Sequence, residues 1–396
     1  MQKDRPVYLD NNATTPLDPR VLEAMLPFLK DRFGNAASRT HPYGWEAADA
    51  VAKARDQVAA FLGADPKEIV WTSGATESDN LAIKGIARKY KEKGNHIITA
   101  ATEHKAVLDT CKVLEKEGFQ VTVLPVDRFG RVSVEQVLSA LTPRTILVTL
   151  MLANNEVGTL HPIAGIGKAL AQEKPFFHCD ATQAAGKIPI DVNELGVDLL
   201  SLSGHKMYGP KGVGVLYVRH GGKRPRPEAV IHGGGHERGM RSGTLNVPGI
   251  VGMGAAAEIA GKEIEKEARH CRALRDRLER ALLEGIEDSL LNGHPEERLP
   301  NTSNISFSFV EGESLMMRVP EMAVSSGSAC TSASLEPSYV LRAMGRPDEL
   351  AHCSLRFSFG RFNTMEEVEF LIPRIIEAVD FLRKLSPLYE KAKKKV

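Results

Sequence analysis

The sequence predicts an α/β protein with a mostly parallel central sheet and a second, smaller α+β domain. Between residues 68 and 218, short apolar segments alternate with amphipathic ones of about 10–15 residues, which is typical of β-α-β units. The segment 145–151 is apolar on both faces, as expected for a strand buried between two layers of helices. After residue 249 the alternation stops, and fewer elements follow one long helix.

The predicted elements follow in a regular order. Strands are predicted at residues 68–72, 96–100, 119–124, 145–151, 176–180, 199–203 and 214–218, and helices at 77–92, 104–117, near 133–141 and near 163–173. A helix over 249–285 is small and apolar at first and charged later, so we expect it to leave the sheet domain. Strands at 305–309 and 354–359 and a final helix from residue 365 onward complete the prediction.

This change of pattern also sets the predicted domain boundaries. Residues 16–262 are expected to form the large domain, and residues 1–15 with 263–396 the small one. The small domain would carry a loop of small polar residues at 325–337.

Composition excludes several classes of function. The 396 residues include 51 Lys+Arg and 50 Asp+Glu, a formal net charge of +1, so no basic excess is available to bind nucleic acid. Hydrophobic residues make up 42%, which is ordinary for a folded globular protein. No apolar segment approaches the roughly 20 residues that span a bilayer, and the first residues lack the apolar core of a signal peptide. We therefore expect a cytoplasmic protein without membrane or nucleic-acid partners.

The cysteines indicate one reactive thiol. Five cysteines are an odd number without the spacing of a disulfide framework. Cys330 stands among serine, alanine, glycine and threonine, where a thiol has no apolar neighbours to pack against, so we predict a functional role for it. Structural roles are predicted for Cys111, Cys179, Cys271 and Cys353. Since no Cys-x-x-Cys or His-Glu-x-x-His motif occurs, no dedicated metal site is expected.

Two ionisable residues follow apolar strands where open α/β sheets bind ligands. Lys206 comes just after the strand at 199–203, and a lysine there can act as a nucleophilic amine once burial or nearby cations lower its pKa. Asp180 ends the strand at 176–180 and could pair with a protonated pyridine nitrogen. Taken alone, Lys206 could equally be a surface residue in a turn, and Asp180 a helix N-cap.

Two segments could bind an anion. Residues 73–76, Ser-Gly-Ala-Thr, lie where a strand turns into a helix, so their backbone N–H groups could cradle a phosphate, although simple capping explains them as well. The glycine-rich stretch 232–244 carries Arg238, Arg241 and Thr244, which could reach an anion. It is not a P-loop, because the Gly-Lys-Ser/Thr ending is missing.

Three further side chains are expected near the same sheet edge. His104 follows the strand at 96–100, and Asn155 follows the strand at 145–151. Arg356 lies inside an otherwise apolar strand and needs an anionic partner there, for which a substrate carboxylate would supply bidentate geometry.

Seven motifs occur in an order that points to a known family. They cover residues 8–15, 73–78, 102–105, 180–183, 203–206, 232–244 and 325–339. With these motifs the sequence resembles the cysteine desulfurases of the IscS/NifS group, over residues 8 to 388. The resemblance implies the aspartate-aminotransferase-like fold of pyridoxal-phosphate-dependent transferases, and the long loop around Cys330 resembles that of the housekeeping desulfurases.

The resemblance also implies a role for each matching position. Lys206 would hold pyridoxal 5'-phosphate covalently, Asp180 would pair with the pyridinium nitrogen and Gln183 would contact the ring hydroxyl. His104 would stack on the ring and move protons. Cofactor phosphate contacts are implied for Ala75, Thr76, Ser203, His205 and, from the neighbouring subunit of a homodimer, Thr244. Asn155 and Arg356 would hold the substrate carboxylate, with Asn155 also next to the cofactor, and Cys330 would accept sulfur.

The implied reaction converts L-cysteine to L-alanine and leaves a persulfide on Cys330. By the same resemblance, an iron–sulfur scaffold protein takes the sulfur, and Cys330 can share a nascent cluster with that scaffold. Another pyridoxal-phosphate lyase or aminotransferase would share Lys206 and Asp180 but would not need Cys330. A non-catalytic docking subunit is disfavoured, because a decayed site usually loses one of Lys206 and Cys330. The lysine-rich end at residues 391–396 departs from relatives with a longer scaffold-docking tail.

Overall fold

The computed structural model describes residues 5–326 and 336–393. The helices are α1 (Pro19–Lys30), α2 (Pro42–Leu62), α3 (Ala75–Lys89), α4 (Lys105–Lys116), α5 (Val134–Ser139), α6 (Ile163–Leu170), α7 (Val192–Leu195), α8 (Val247–Gly285), α9 (Gly312–Arg318), α10 (Tyr339–Ala343), α11 (Asp348–His352), α12 (Met365–Leu385) and α13 (Pro387–Lys393). The strands are β1 (Val7–Tyr8), β2 (Ile69–Thr72), β3 (His96–Ala100), β4 (Gln120–Leu124), β5 (Thr145–Met151), β6 (Phe176–Asp180), β7 (Leu199–Ser203), β8 (Gly214–Val218), β9 (Ser289–Asn292), β10 (Thr302–Phe307), β11 (Met322–Ala323) and β12 (Ser354–Ser358).

The central sheet has the strand order β2-β8-β7-β6-β5-β3-β4. The pairs β7-β6, β6-β5, β5-β3 and β3-β4 are parallel, whereas β8 runs antiparallel to both of its neighbours. The prediction of a mostly parallel sheet is therefore confirmed. The reversed direction of β8 was not predicted, because a short apolar segment does not encode which way its strand runs.

Helices cover both faces of this sheet, which explains why its strands are apolar throughout. On one face, α3 and α4 pack over side chains such as Val70, Leu147 and Leu216. On the other face, α2, α6 and the first half of α8 enclose a larger core that includes Trp71 and Phe177. A parallel sheet is stable only when both faces are covered in this way.

A second core lies beyond the central sheet. The antiparallel sheet β12-β10-β9 packs there against α12 and the second half of α8. Val7 and Leu9 join the same core from the N-terminal segment, next to the β1-β11 pair. The domain boundary expected after residue 262 falls inside α8, which runs through it without a break, and the two-domain division stays a prediction.

The main omission of the sequence analysis is the helical region between residues 19 and 62. Its longer helix, α2, buries mostly small residues, such as Ala47, Ala54 and Ala59, so its apolar stripe is weak in the sequence. Elsewhere the predicted elements are found within a few residues of their expected bounds, α3 beginning at Ala75 instead of residue 77. None of the helices described here is both long and apolar enough to cross a bilayer.

We predict that the second core depends on the buried face of α8. Leu278 is fully buried in that core, so Leu278→Ala should lower the free energy of unfolding by about 2–5 kcal/mol. Leu385 is 65% exposed at the end of α12, and Leu385→Ala should change it by less than about 0.5 kcal/mol. Urea unfolding of both variants measures the difference, and equal values would contradict the assigned packing.

Candidate active site

A cavity of about 570 Å³ opens at the carboxyl edge of the central sheet. Most of the predicted site residues line it, namely Ala75, Thr76, His104, Asn155, Asp180, Gln183, Ser203, His205, Lys206 and Arg356. Thr244 is exposed and lies outside this lining, and Cys330 lies outside the described residues. A cavity of this size and mixed polarity is suited to a small cofactor together with a small substrate.

The sheet topology brings these residues together. Asp180 and Ser203 are the last residues of the parallel strands β6 and β7, and His104 follows β3. Parallel strands end at the same sheet edge, so residues that are distant in sequence meet there. Arg356 arrives differently, from the middle of β12 in the second sheet, and closes the cavity from the other side.

The start of α3 forms an anion-binding cup in the cavity wall. Its N-cap is Gly74, and no side chain of the described residues caps it, so the first N–H groups of the helix face the cavity. Gly74 also packs closely on β8, since a Cβ at Gly214 would lie 2.5 Å from its Cα. This close approach requires a residue without a side chain at Gly214.

Asp180 is the buried carboxyl group at the floor of the cavity. It is 6% exposed, and its Oδ1 accepts a hydrogen bond of 2.9 Å from the backbone N–H of Thr182. Asp79 and Glu103 lie nearby, and burial raises the pKa of each well above its usual range, with the charge of Asp180 raising it further. Burial thus favours the neutral forms of Asp79 and Glu103.

The N-terminal segment supplies carbonyl groups that hold Lys206. The Lys206 amine donates to the backbone oxygens of Asn12, at 2.6 Å, and Ala13, at 2.8 Å. The Nε2 of Gln183 donates to the same Asn12 oxygen at 2.9 Å. The sequence analysis assigned no role to Asn12 or Ala13. The cluster of small polar residues at 11–15 was the sequence signal for such a role. Buried polar groups need hydrogen-bond partners, so a polar cluster after an apolar strand indicates a polar site.

Both histidines of the site are held in the neutral form at pH 7. Burial lowers the pKa of His104, and the positive charge of Lys206 also acts to lower it. The Nδ1 of His104 accepts from the backbone N–H of Ala106, so its proton sits on Nε2. Burial and nearby lysines lower the pKa of His205 to about 4, and its Nδ1 lies 3.2 Å from the hydroxyl of Thr14.

Arg356 has an anionic partner within the chain itself. Its Nη2 donates to Oδ1 of Asp10 at 2.6 Å, and its Nη1 donates to the backbone oxygen of Asn155 at 2.9 Å. The Nε of Arg356 and the Oδ1 of Asn155 are buried and unpaired within the described part of the chain. The expectation that this arginine needs an anion is therefore met by Asp10, and the unpaired atoms leave capacity for a second ligand.

The structural roles expected for the other cysteines agree with their surroundings. Cys111, Cys179 and Cys271 are buried, and Cys353 is partly buried. Burial raises the pKa of Cys111 and of Cys271 to about 12, and it raises those of Cys179 and Cys353 above the usual value. A thiol that stays protonated at neutral pH is a poor nucleophile, so none of these four is suited to take up sulfur.

Comparisons with known proteins agree with this geometry. Residues 7–371 match the family described as aminotransferase class-V. The cysteine desulfurase IscS of Anaeromyxobacter dehalogenans (strain 2CP-C) is 58% identical over 390 residues, covering 98% of this chain and 96% of that protein. The cysteine desulfurase of Homo sapiens is 54% identical over 388 residues, covering 98% of this chain and 84% of that protein. The solved structure of a NifS-like protein superposes with a TM-score of 0.88 at 40% identity, covering 95% of this chain and 100% of that one.

The chain therefore belongs to the class-V aminotransferase family, and within it to the pyridoxal-phosphate-dependent cysteine desulfurases of the IscS group. Its substrate is accordingly L-cysteine, and its fold is the one that the sequence resemblance implied.

The residues present fit the cofactor. The cup at the start of α3 matches a phosphate, the amine of Lys206 matches an aldehyde, and the carboxyl group of Asp180 matches a pyridine nitrogen. Asn155 adds to the same cavity a buried side-chain oxygen that has no partner within residues 5–326 and 336–393. The chemistry of the lining thus agrees with each polar end of pyridoxal 5'-phosphate.

We predict that the contact between Gly74 and Gly214 is required for cofactor binding. Gly214→Ala should push the start of α3 away from β8 and weaken pyridoxal-phosphate binding at least about tenfold, because the N–H cup loses its position. At Gly261 an added Cβ would meet only a ring carbon of Phe61 at 3.8 Å, so Gly261→Ala should bind normally. Titration of the apoprotein followed by visible absorbance checks both, and unchanged binding in Gly214→Ala would contradict the cup.

Proposed function

We propose that Lys206, Asp180 and the start of α3 hold pyridoxal 5'-phosphate in the cavity, with Lys206 bonded to its aldehyde carbon. The observation that carries this proposal is the presence of a lysine, a buried carboxyl group and an uncapped helix start in one cavity. When bound, the cofactor withdraws electrons from the substrate carbons, and this weakens the Cα–H and C–S bonds. Thr76, in the first turn of α3, lines this cavity together with Ser203 and His205, and these three residues would complete the phosphate site.

Arg356 and Asn155 are proposed to bind the carboxylate of L-cysteine. Among the described residues no partner is found for the Nε of Arg356, and burial strengthens the attraction of this guanidinium to a second anion. Asp10 fixes the guanidinium from its other side and balances its charge when substrate is absent. This arrangement orients the amino group of the substrate toward Lys206.

Proton transfer is assigned to Lys206 and His104. The Lys206 amine, once released from the cofactor, takes the proton from the substrate Cα. His104 is neutral and carries its proton on Nε2, so it can donate a hydrogen bond into the cavity without adding charge. Gln183 contributes its amide Nε2, whose position is fixed by the Asn12 carbonyl, toward the cofactor hydroxyl.

Sulfur transfer is assigned to Cys330. Its thiolate attacks the substrate sulfur, an S–S bond forms, and the C–S bond breaks with its electron pair left on the carbon side. Protonation of that carbon and return of a proton to Cα give L-alanine, and Cys330 retains the sulfur as a persulfide. We further propose that the sulfur passes to a scaffold protein for iron–sulfur cluster assembly in the cytoplasm, in line with the IscS relatives.

A homodimer completes the proposed site, with Thr244 reaching the cofactor phosphate of the partner subunit. Thr244 is exposed and outside the cavity of its own chain, as a residue that serves a second copy would be. Large apolar side chains on and next to α1 and α2 are also exposed: Leu29 by 56%, Phe33 by 70%, and Tyr43 and Trp45 by 53% each. A surface of this kind is typical of a homodimer interface.

The assignment of Cys330 and Lys206 predicts distinct losses. Cys330→Ser should keep the yellow colour of the bound cofactor and lose alanine release from L-cysteine by at least about a hundredfold, because a hydroxyl cannot accept the sulfur. Lys206→Ala should lose both the visible absorption band of the lysine-bound cofactor and the activity.

The matched control is Cys353→Ala, which changes a thiol that is partly buried away from the cavity and should retain activity. Alanine and sulfide release are measured in the presence of a reductant. Full activity in Cys330→Ser would rule out the persulfide and leave another pyridoxal-phosphate lyase reaction.

A mixed dimer tests whether Thr244 acts across the interface. Thr244→Glu places a negative charge near the phosphate, so this variant should bind the cofactor weakly, as Lys206→Ala should. If sites are shared, a heterodimer of the two variants contains one intact site out of two and recovers about half of the wild-type activity. Co-expression with two affinity tags isolates the heterodimer. No recovery, or a monomeric mass in sedimentation, would refute the shared site.

A further inference from the structure

Lys187 is a buried lysine behind the cavity to which the proposed mechanism assigns no role. It is 7% exposed and does not line the cavity. Its amine donates to the backbone oxygen of Gln183 at 3.0 Å, to the backbone oxygen of Lys206 at 3.4 Å and to Oε1 of Gln183 at 3.5 Å. An ammonium group has three N–H donors, so these acceptors match its protonated form.

These contacts close a hydrogen-bonded ring of four residues. Gln183 donates from Nε2 to the backbone oxygen of Asn12, and Lys206 donates to that same oxygen from its amine. Lys187 then joins Gln183 to Lys206 on the far side. The side-chain amide of a glutamine has two orientations that exchange its oxygen and nitrogen atoms. Here Lys187 donates to Oε1 and the Asn12 carbonyl accepts from Nε2, and the two contacts together fix the orientation.

The charges around Lys187 favour loss of its proton near neutral pH. Burial lowers its pKa to about 7, and the charges of Lys206 and Arg356 act in the same direction. Glu267 and Cys271 of α8 face the amine. The charge of Glu267 acts to raise the pKa of Lys187, whereas the Cys271 thiol, whose pKa burial raises to about 12, is neutral near pH 7. The carboxylate of Glu267 is, however, ion-paired with Arg361 at 2.8 Å, and this weakens its effect on the pKa of Lys187.

We propose that Lys187 is a positioning residue that, in its ammonium form, fixes the Gln183 amide and the Lys206 segment for catalysis through the hydrogen-bonded ring. The inference rests on the proposed roles of Lys206 and Gln183, and the ring is complete in the state in which the Lys206 amine is released from the cofactor. A lysine whose pKa is lowered to about 7 is protonated below that pH and neutral above it. The neutral amine has one donor fewer, and the longest contact, to Oε1 of Gln183, is lost first.

The test compares Lys187→Met with Lys168→Met, a lysine on the exposed face of α6. Steady-state kinetics with L-cysteine and the visible spectrum of the bound cofactor are recorded in the holoenzyme between about pH 6 and pH 9. In the wild type, kcat should fall as the pH rises through about 7, because the ammonium form is lost. Lys187→Met should lower kcat at low pH at least about tenfold, with KM changed less than about threefold, and should lack that decline.

A double-variant cycle tests whether Lys187 acts through Gln183. Lys187→Met combined with Gln183→Leu should lose no more than about threefold beyond the more damaging single variant, because both changes break the same ring. If the losses in kcat of the two single variants multiply in the double variant, the two residues act independently. This result would contradict the proposal that Lys187 acts through the ring.

Other outcomes would also overturn the proposal. One is that the wild type and Lys187→Met have superimposable pH profiles and spectra. Another is that Lys187→Met loses the same factor in kcat at every pH while its spectrum is unchanged. If Lys187→Met does not fold, Lys187→Gln, which keeps N–H donors but does not titrate, replaces it. Lys187→Gln should lack the decline of kcat with rising pH, and a decline like that of the wild type would overturn the proposal. Failure of the proposed function is seen separately, as a Lys206→Ala protein that keeps the lysine-bound absorption band.

Discussion

The N-terminal segment from residue 11 to residue 15 is the link on which both the fold and the site depend. Asn11 binds the backbone of Ser358 at the end of β12, and Thr15 donates its N–H to the backbone oxygen of His205. Between these two attachments, the carbonyls of Asn12 and Ala13 accept from Lys206. One short segment thus joins the two cores and positions the reactive amine.

Burial decides the charge state of most polar groups around the cavity. It raises the pKa of Asp79 and of Glu103 well above the usual range, and it keeps His178 and His205 neutral by lowering the pKa of each to about 4. An isolated buried charge costs several kcal/mol, so neutral forms are favoured wherever no partner is present. Arg356, by contrast, is buried with a partner, since it is ion-paired with Asp10 at 2.6 Å.

Much of the site could be predicted because each residue is marked by a pattern in its own neighbourhood of the sequence. Asp180, Ser203 and His104 follow strands whose apolar pattern is clear, and parallel strands end at a common edge. The partner of Arg356 could not be predicted, since Asp10 lies 346 residues away and the two meet only when β12 and the N-terminal segment come together. Lys187 gave no signal, because a lysine in a turn is most often exposed and nothing in its neighbours shows that the chain covers it.

The sequence by itself determined the alternating strands and helices, the residues at the sheet edge and, through the resemblance, the cofactor and the family. These depend on short-range periodicity and on motifs whose spacing is fixed along the chain. Tertiary structure alone decided the reversed direction of β8, the contact of Gly74 with Gly214, and the ring that joins Lys187, Gln183, Asn12 and Lys206. Each of these arises from segments far apart in sequence, and burial and hydrogen bonding between such segments exist only in the folded chain.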